Sequence, residues 1–295
     1  MSRSVLLLAA FAGFAEFTGE QGPATGGVLV GEEFSYTVKR GDSLALVGAR
    51  FGVEPRSLAQ SNNLSPVAWL RIGQVLRVDN RHIVPFSLEQ GILINIPQRL
   101  LFLFQEGRLV AWYPAGLGRR DWPTAASRFE IRALEREPTW NVPVSIQEEM
   151  RRHGESVETR VRPGPANPLG DYWIGLEGSA CGIHGTTAPA SIYGFRTHGC
   201  IRLHPNDIAD LFSRVSKGMA VQLVYEPVLL ARGPDGAVFL EVNPDIYGLQ
   251  KDPRGAVAAL AELEKLRTVL DPVAVEWVIA GKEGLARRVD APVSP

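Results

Sequence analysis

The chain has 295 residues, 45% of them hydrophobic and 21% charged, with 31 Lys and Arg against 32 Asp and Glu. That length holds one large domain or two to three smaller ones, and the composition is that of an ordinary globular protein. A formal charge of −1, with acids and bases interspersed and no Lys/Arg block, excludes the electrostatic footprint of a nucleic-acid binder.

At the N-terminus one positive charge, Arg3, precedes a run from Val5 to Ala15 that is apolar apart from Gly13. This is the pattern of a secretory signal, assigned to residues 1–19 and too short to cross the hydrocarbon core comfortably. The alternative is a buried N-terminal strand or helix. A signal implies export to the periplasm or cell wall. Residues 20–33, Gly-rich with Pro23, read as a linker.

A compact unit follows over residues 34–80. Phe34 to Lys39 alternates like a strand, and Asp42 or Ser43 is placed to cap a helix running to Phe51. Gly52 ends that helix as a left-handed cap. Pro55 opens a second short helix carrying Leu58 inward and ending near Asn62-Asn63, and Gly73 to Val78 forms a second strand. Tyr36-Thr37-Val38-Lys39-Arg40-Gly41-Asp42-Ser43-Leu44, Phe51-Gly52-Val53, Leu58, Asn62 and Gly73-Gln74-Val75-Leu76 closely resemble the LysM module. The resemblance implies a βααβ fold that binds N-acetylglucosamine-containing glycans such as peptidoglycan.

From residue 90 to 226 the runs shorten. Ile92–Ile96, Leu100–Phe104, Leu109–Tyr113 and Phe129–Leu134 are strand-like, and Glu106-Gly107 marks a hairpin. Several strands at this spacing predict a mostly β domain, sandwich or barrel-like. Ile208, Leu211, Phe212 and Val215 predict a helix with Asn206 as its cap. In residues 227–295, Gly233-Pro234-Asp235-Gly236 turns between strands near Leu229 and Leu240. Val257, Leu260, Leu263, Leu266 and Leu270 recur at helical spacing, which predicts one amphipathic helix packed on the β domain.

Three of the five histidines and both cysteines fall between residues 181 and 204. One reading is zinc, bound by Cys181-x-x-His184 and His198-x-Cys200 with His204 in reserve. The other is a thiol nucleophile. There Cys200 supplies the thiolate and His184 takes its proton. Backbone N–H groups at Gly199 and Cys200 face an oxyanion, and the carbonyl of Gly185 orients the imidazole.

Gly182-Ile183-His184-Gly185-Thr186 followed by Thr197-His198-Gly199-Cys200-Ile201-Arg202-Leu203 resembles the signature of L,D-transpeptidases (the YkuD, or ErfK–YbiS–YcfS–YnhG, type). Pro168-Leu169-Gly170, Pro123-Thr124 and Phe129 match as well. The resemblance implies a β-sandwich-like catalytic fold with Cys200 as acyl-accepting nucleophile and His184 as base. His198 and Gly199 would shape the site, with Arg202 and Thr197 near substrate. It implies a tetrapeptide stem of peptidoglycan as donor and loss of D-alanine. The acceptor would be an amine on another stem, on an outer-membrane lipoprotein, or of a D-amino acid. No metal or organic cofactor is required, and carbapenems would acylate the same thiol. Two other functions stay open: a hydrolase using the same cysteine, and a wall-binding protein without activity.

Cys181 stands where an aromatic residue is frequent. Its plain reading is a small buried hydrophobe, its sharper one a reversible disulfide with Cys200. His82 and His153 read as ordinary core or surface histidines, and Glu148-Glu149 with Arg151-Arg152 as a solvated face. Trp122, Tyr172 and Trp173 are candidates for either a groove or the core.

Overall fold

The computed structural model describes residues 27–292. The signal assigned to residues 1–19 lies outside them. Three units follow one another, and the first packs against both others.

The N-terminal unit begins with β1 (Leu29–Val30), β2 (Glu33–Thr37), α1 (Leu44–Phe51), α2 (Pro55–Ser61), β3 (Val75–Asp79) and β4 (His82–Ile83). Strands β2 and β3 pair antiparallel, so βααβ is the order predicted. Ser43 caps α1 by accepting from the Leu46 N–H, and Gly52 closes it in the left-handed conformation at φ 71°. Val38, Val47, Leu58, Leu76 and Val78 fill its core. The tail of the predicted linker is not loose: β1 pairs with β4.

The central unit takes β5 (Gly91–Asn95), β6 (Leu100–Gln105), β7 (Arg108–Gly118), β8 (Ser127–Arg136), β9 (Trp140–Asn141), α3 (Val144–Arg152), β10 (Arg160–Val161), β11 (Tyr172–Leu176), β12 (Gly182–His184), β13 (Phe195–Thr197), β14 (Ile201–Leu203), α4 (Pro205–Arg214) and β15 (Ala220–Val224). Eight strands run in the order β7-β14-β12-β11-β8-β15-β5-β6, and β6 pairs back with β7, so the sheet closes into a barrel with β13 attached outside β7. Closure leaves no long strand edge, which an open sandwich of the same strands would expose. Glu106 (φ 51°) and Gly107 (φ 70°) form the two-residue turn between β6 and β7. Ile92, Ile94, Leu101, Leu103, Ile174, Ile183, Ile201 and Leu203 line the interior, capped by Ile208 and Leu211 of α4. The cap of α4 is His204, whose Nδ1 accepts from the Asn206 N–H at 3.3 Å, and not Asn206 itself.

The C-terminal unit holds β16 (Val228–Arg232), β17 (Val238–Val242), α5 (Pro253–Leu263), α6 (Pro272–Gly281) and β18 (Arg287–Arg288). The single predicted helix is two. It breaks after Leu263, where Lys265 takes φ 56°, and Asp271 caps the second helix ahead of Pro272. Leu266 and Leu270 nonetheless turn inward with Val257, Ala261, Ala274 and Val278 onto β16 and β17. The periodicity therefore reported burial at Val257, Leu260, Leu266 and Leu270 but not at Leu263, which is 39% exposed where the chain changes direction. This unit has its own core and does not simply lean on the barrel.

Candidate active site

Strands β12 and β14 lie side by side and parallel, with Ile183 opposite Ile201 and His184 opposite Arg202. This pairing brings together the two halves of the sequence motif. Cys181, His184, Thr197, His198, Cys200 and Arg202 all line one cavity of about 480 Å³. Trp122, Trp140, Ile146, Leu169 and Trp173 complete its apolar wall.

His184 is buried, and its Nδ1 stands 2.7 Å from the carbonyl oxygen of Gly185. A carbonyl only accepts, so Nδ1 carries the proton and Nε2 is left to accept from a thiol. Trp173, opposite His184 on β11, stacks on the imidazole at 5.7 Å between centroids and 25° between planes. Gly182 makes room for that indole: a Cβ there would come within 2.7 Å of the Trp173 ring. Tyr172, by contrast, packs on Phe212 and belongs to the core.

The Cys200 thiol is held well below its ordinary pKa. The largest cause is a hydrogen bond from the Cys181 thiol; burial opposes it, and His184 and the Gly182 N–H add to the lowering. The same bond raises Cys181, because a group that donates to a thiolate resists losing its own proton. Both thiols are free and half-buried. Cys181 is therefore no detached core hydrophobe but a neighbour of the motif cysteine inside the cavity.

The loop carrying the motif is tied in place by hydroxyls. Thr197 Oγ1 donates to the Cys200 carbonyl at 2.6 Å and accepts from the Gly199 N–H at 3.1 Å. Thr124 Oγ1 donates to the Gly199 carbonyl at 2.9 Å, and Tyr247 braces Thr124. Gly199 sits at φ 98°, where a side chain would be strained. The Gly199 N–H is thus engaged by the Thr197 hydroxyl, which ties the loop while Thr197 lines the cavity.

His198 is wedged between two groups. The Trp122 ring meets it edge-on at 4.7 Å, and Glu149 Oε2 accepts from its Nε2 at 2.5 Å. Glu149 Oε1 also accepts from Arg119 at 2.8 Å. Hydrogen bonds from His198 first and Arg119 second hold the Glu149 carboxyl below the usual range. Glu149 comes from α3, which buries none of its residues yet sends Ile146, one turn earlier on the same face, into the cavity wall. The solvated face expected over Glu148–Arg152 is therefore half wrong. The i, i+3 spacing of Ile146 and Glu149 was the one available signal. Arg202 is desolvated enough to lower its own pKa, and its Nε is buried with no partner among the described residues.

Among the described residues no group of three or more His, Cys, Asp or Glu stands together as a metal site. His204 caps α4, His153 is exposed at the end of α3, and His82 is buried and does not line the cavity.

The L,D-transpeptidase catalytic domain model matches residues 89–224, and the LysM domain model matches residues 36–79. The Escherichia coli protein named "Probable L,D-transpeptidase ErfK/SrfK" is 32% identical over 231 residues, covering 75% of this chain and 72% of its own length. "Probable L,D-transpeptidase YbiS" of the same organism is 28% identical over 284 residues, 91% of this chain and 90% of its own. Of the solved structures, the Ldtfm–avibactam carbamoyl enzyme aligns over 59% of this chain and 64% of its own at 18% identity and a TM-score of 0.38. The curated relatives and the matched catalytic domain carry the assignment: the chain belongs to the L,D-transpeptidase family of cysteine acyltransferases.

Proposed function

We propose that the protein is an exported peptidoglycan L,D-transpeptidase with Cys200 as nucleophile and His184 as general base. The observation that carries this reading is the pairing of a depressed thiol with an imidazole whose Nδ1 is fixed by Gly185, inside one cavity. His184 Nε2 takes the Cys200 proton as sulfur attacks the carbonyl at the L-centre of the stem's diamino acid. The imidazolium then protonates the departing amine of D-alanine, leaving a thioester on Cys200. An acceptor amine, deprotonated by the same imidazole, resolves it. The Cys200 N–H is the remaining loop donor for the oxyanion. Arg202, with its unpartnered Nε, is placed to meet a substrate carboxylate.

Residues 34–80 would hold glycan while residues 90–226 act on the stem. The acceptor would be another stem, giving a 3-3 crosslink, or a lipoprotein or D-amino acid. Carbapenems would acylate Cys200. No helix among the described residues is long and apolar enough to cross a membrane, which fits a periplasmic or wall-associated location. The deciding experiment is mass spectrometry of tetrapeptide muropeptides incubated with the enzyme, with and without added amine. A crosslinked dimer or an exchanged terminal residue supports transfer. A stem shortened by D-alanine despite added amine would make the protein a hydrolase.

A further inference from the structure

Acyl transfer needs one sulfur, and the cavity holds two. The pairing of β12 with β14, Ile183 opposite Ile201, brings the residues just ahead of the two strands, Cys181 and Cys200, to the same end of the sheet. Gly199 takes φ 98°, so the chain leaves strand geometry there and side-chain positions decide the approach. Cys181 Sγ lies 3.8 Å from the His198 carbonyl, and 3.4 Å from where a Cβ on residue 199 would stand. Its thiol points at the motif segment from across the strand gap, and both sulfurs open into the cavity, within reach of a small oxidant.

We propose that Cys181 is a resolving thiol for Cys200: a hydroperoxide oxidises Cys200, and the two sulfurs then close into a reversible disulfide that withdraws the nucleophile and shields it from further oxidation. The inference rests on the reading of Cys200 as nucleophile only for its effect on activity. In the first step the Cys200 thiolate attacks the peroxide. An S–O bond forms, the O–O bond breaks, sulfur loses two electrons, and the departing oxygen leaves as hydroxide or alkoxide, taking up a proton. In the second step Cys181 sulfur attacks the sulfenic acid. The S–S bond forms, the S–O bond breaks, and hydroxide leaves as water with the Cys181 proton. The asymmetry of the pair sets the order, because the sulfur that carries the thiolate is the one a peroxide meets first. A dithiol reductant reverses the bond.

The test uses the full chain, reduced, freed of reductant and exposed to a small excess of hydrogen peroxide. Intact mass should fall by about 2 Da, with a crosslinked peptide joining Cys181 to Cys200, and activity should drop at least about ten-fold and return with dithiothreitol. Cys181→Ser should instead gain about 32 Da, and its loss, scored against its own untreated rate, should not return. Cys200→Ser should show no 2 Da loss. Oxygen adducts on the native chain without the crosslinked peptide, or equal recovery by dithiothreitol in native chain and Cys181→Ser, would overturn the proposal. The mass is read without turnover. A reduced chain that forms the disulfide yet makes no acyl-transfer product would therefore count against the proposed function and still support the pairing.

Discussion

Two polar clusters in this molecule are built from similar parts and do opposite things. At the junction of the three units, His82 lies between the Gly52 carbonyl (2.9 Å) and Glu241 (3.3 Å). Glu241 also accepts from the Ile83 N–H, Gln98 and Asn243 at 2.7 to 3.0 Å. Every one of these side chains is at most 2% exposed. In and beside the cavity, His184, His198, Glu149, Arg202 and two thiols stand close together, but the thiols are half-buried and Arg202 Nε has no partner among the described residues. A histidine and carboxylate closed off on all sides hold modules together. A histidine and thiol left with an open side can do chemistry. The difference lies in solvent access and not in residue type; an unpaired atom does not by itself mark a site, since Asn243 Oδ1 at the junction also lacks a partner among the described residues.

That contrast can be broken by substitution. Replacing Cys200 with Ala should reduce product from tetrapeptide muropeptides by roughly 10³-fold or more while leaving the unfolding midpoint and glycan pull-down unchanged. Undiminished turnover would remove the nucleophile assignment. Glu241→Ala should do the reverse: it leaves His82, Gln98 and the Ile83 N–H without their shared acceptor, and urea unfolding should show a loss of about 3–5 kcal/mol. A loss under about 1 kcal/mol would mean that the junction cluster does not hold the units together.

Glu149 sits between these cases, because its ion pairs are partly exposed and lie at the cavity rim. Glu149→Ala should cost at most about 1 kcal/mol of stability, the usual worth of such pairs. It frees His198 and releases α3, so KM should rise by about ten-fold with kcat less affected. A melting shift without any kinetic change would make Glu149 a purely structural tie.

The smallest effect concerns pH. Because the Cys181 thiol donates to the Cys200 sulfur, removing it destabilises the thiolate and raises the pKa of Cys200. The rate of alkylation by iodoacetamide should therefore rise with pH over a higher range in Cys181→Ala than in the native chain. Coincident profiles would show that the bond between the thiols has no influence on reactivity.

Much of this was legible in the chain because it is local. The caps at Ser43 and Gly52, the turn at Glu106-Gly107 and the strand runs are decided by neighbours within a few residues. So is the Gly185 carbonyl that holds His184, since the donor and acceptor are adjacent in sequence. The helix near residue 270 was misread because apolar spacing reports which residues turn inward and is blind to a change of axis. Glu149 was missed for a related reason. A charge run looks solvated until another part of the chain supplies its partners, and His198 lies 49 residues away.

The sequence by itself determined the family, the two motif halves and the residues available for acyl transfer, because those are matters of chemical identity and short spacing. Only the tertiary structure decided how they meet. Barrel closure laid β12 beside β14 and so set His184 near Cys200. The same pairing brought Cys181 to that sulfur, and the placement of α3 drew Glu149 onto His198. Those contacts cross strand gaps or come from separate elements, and a pattern along one chain carries no distance between residues that only folding brings together.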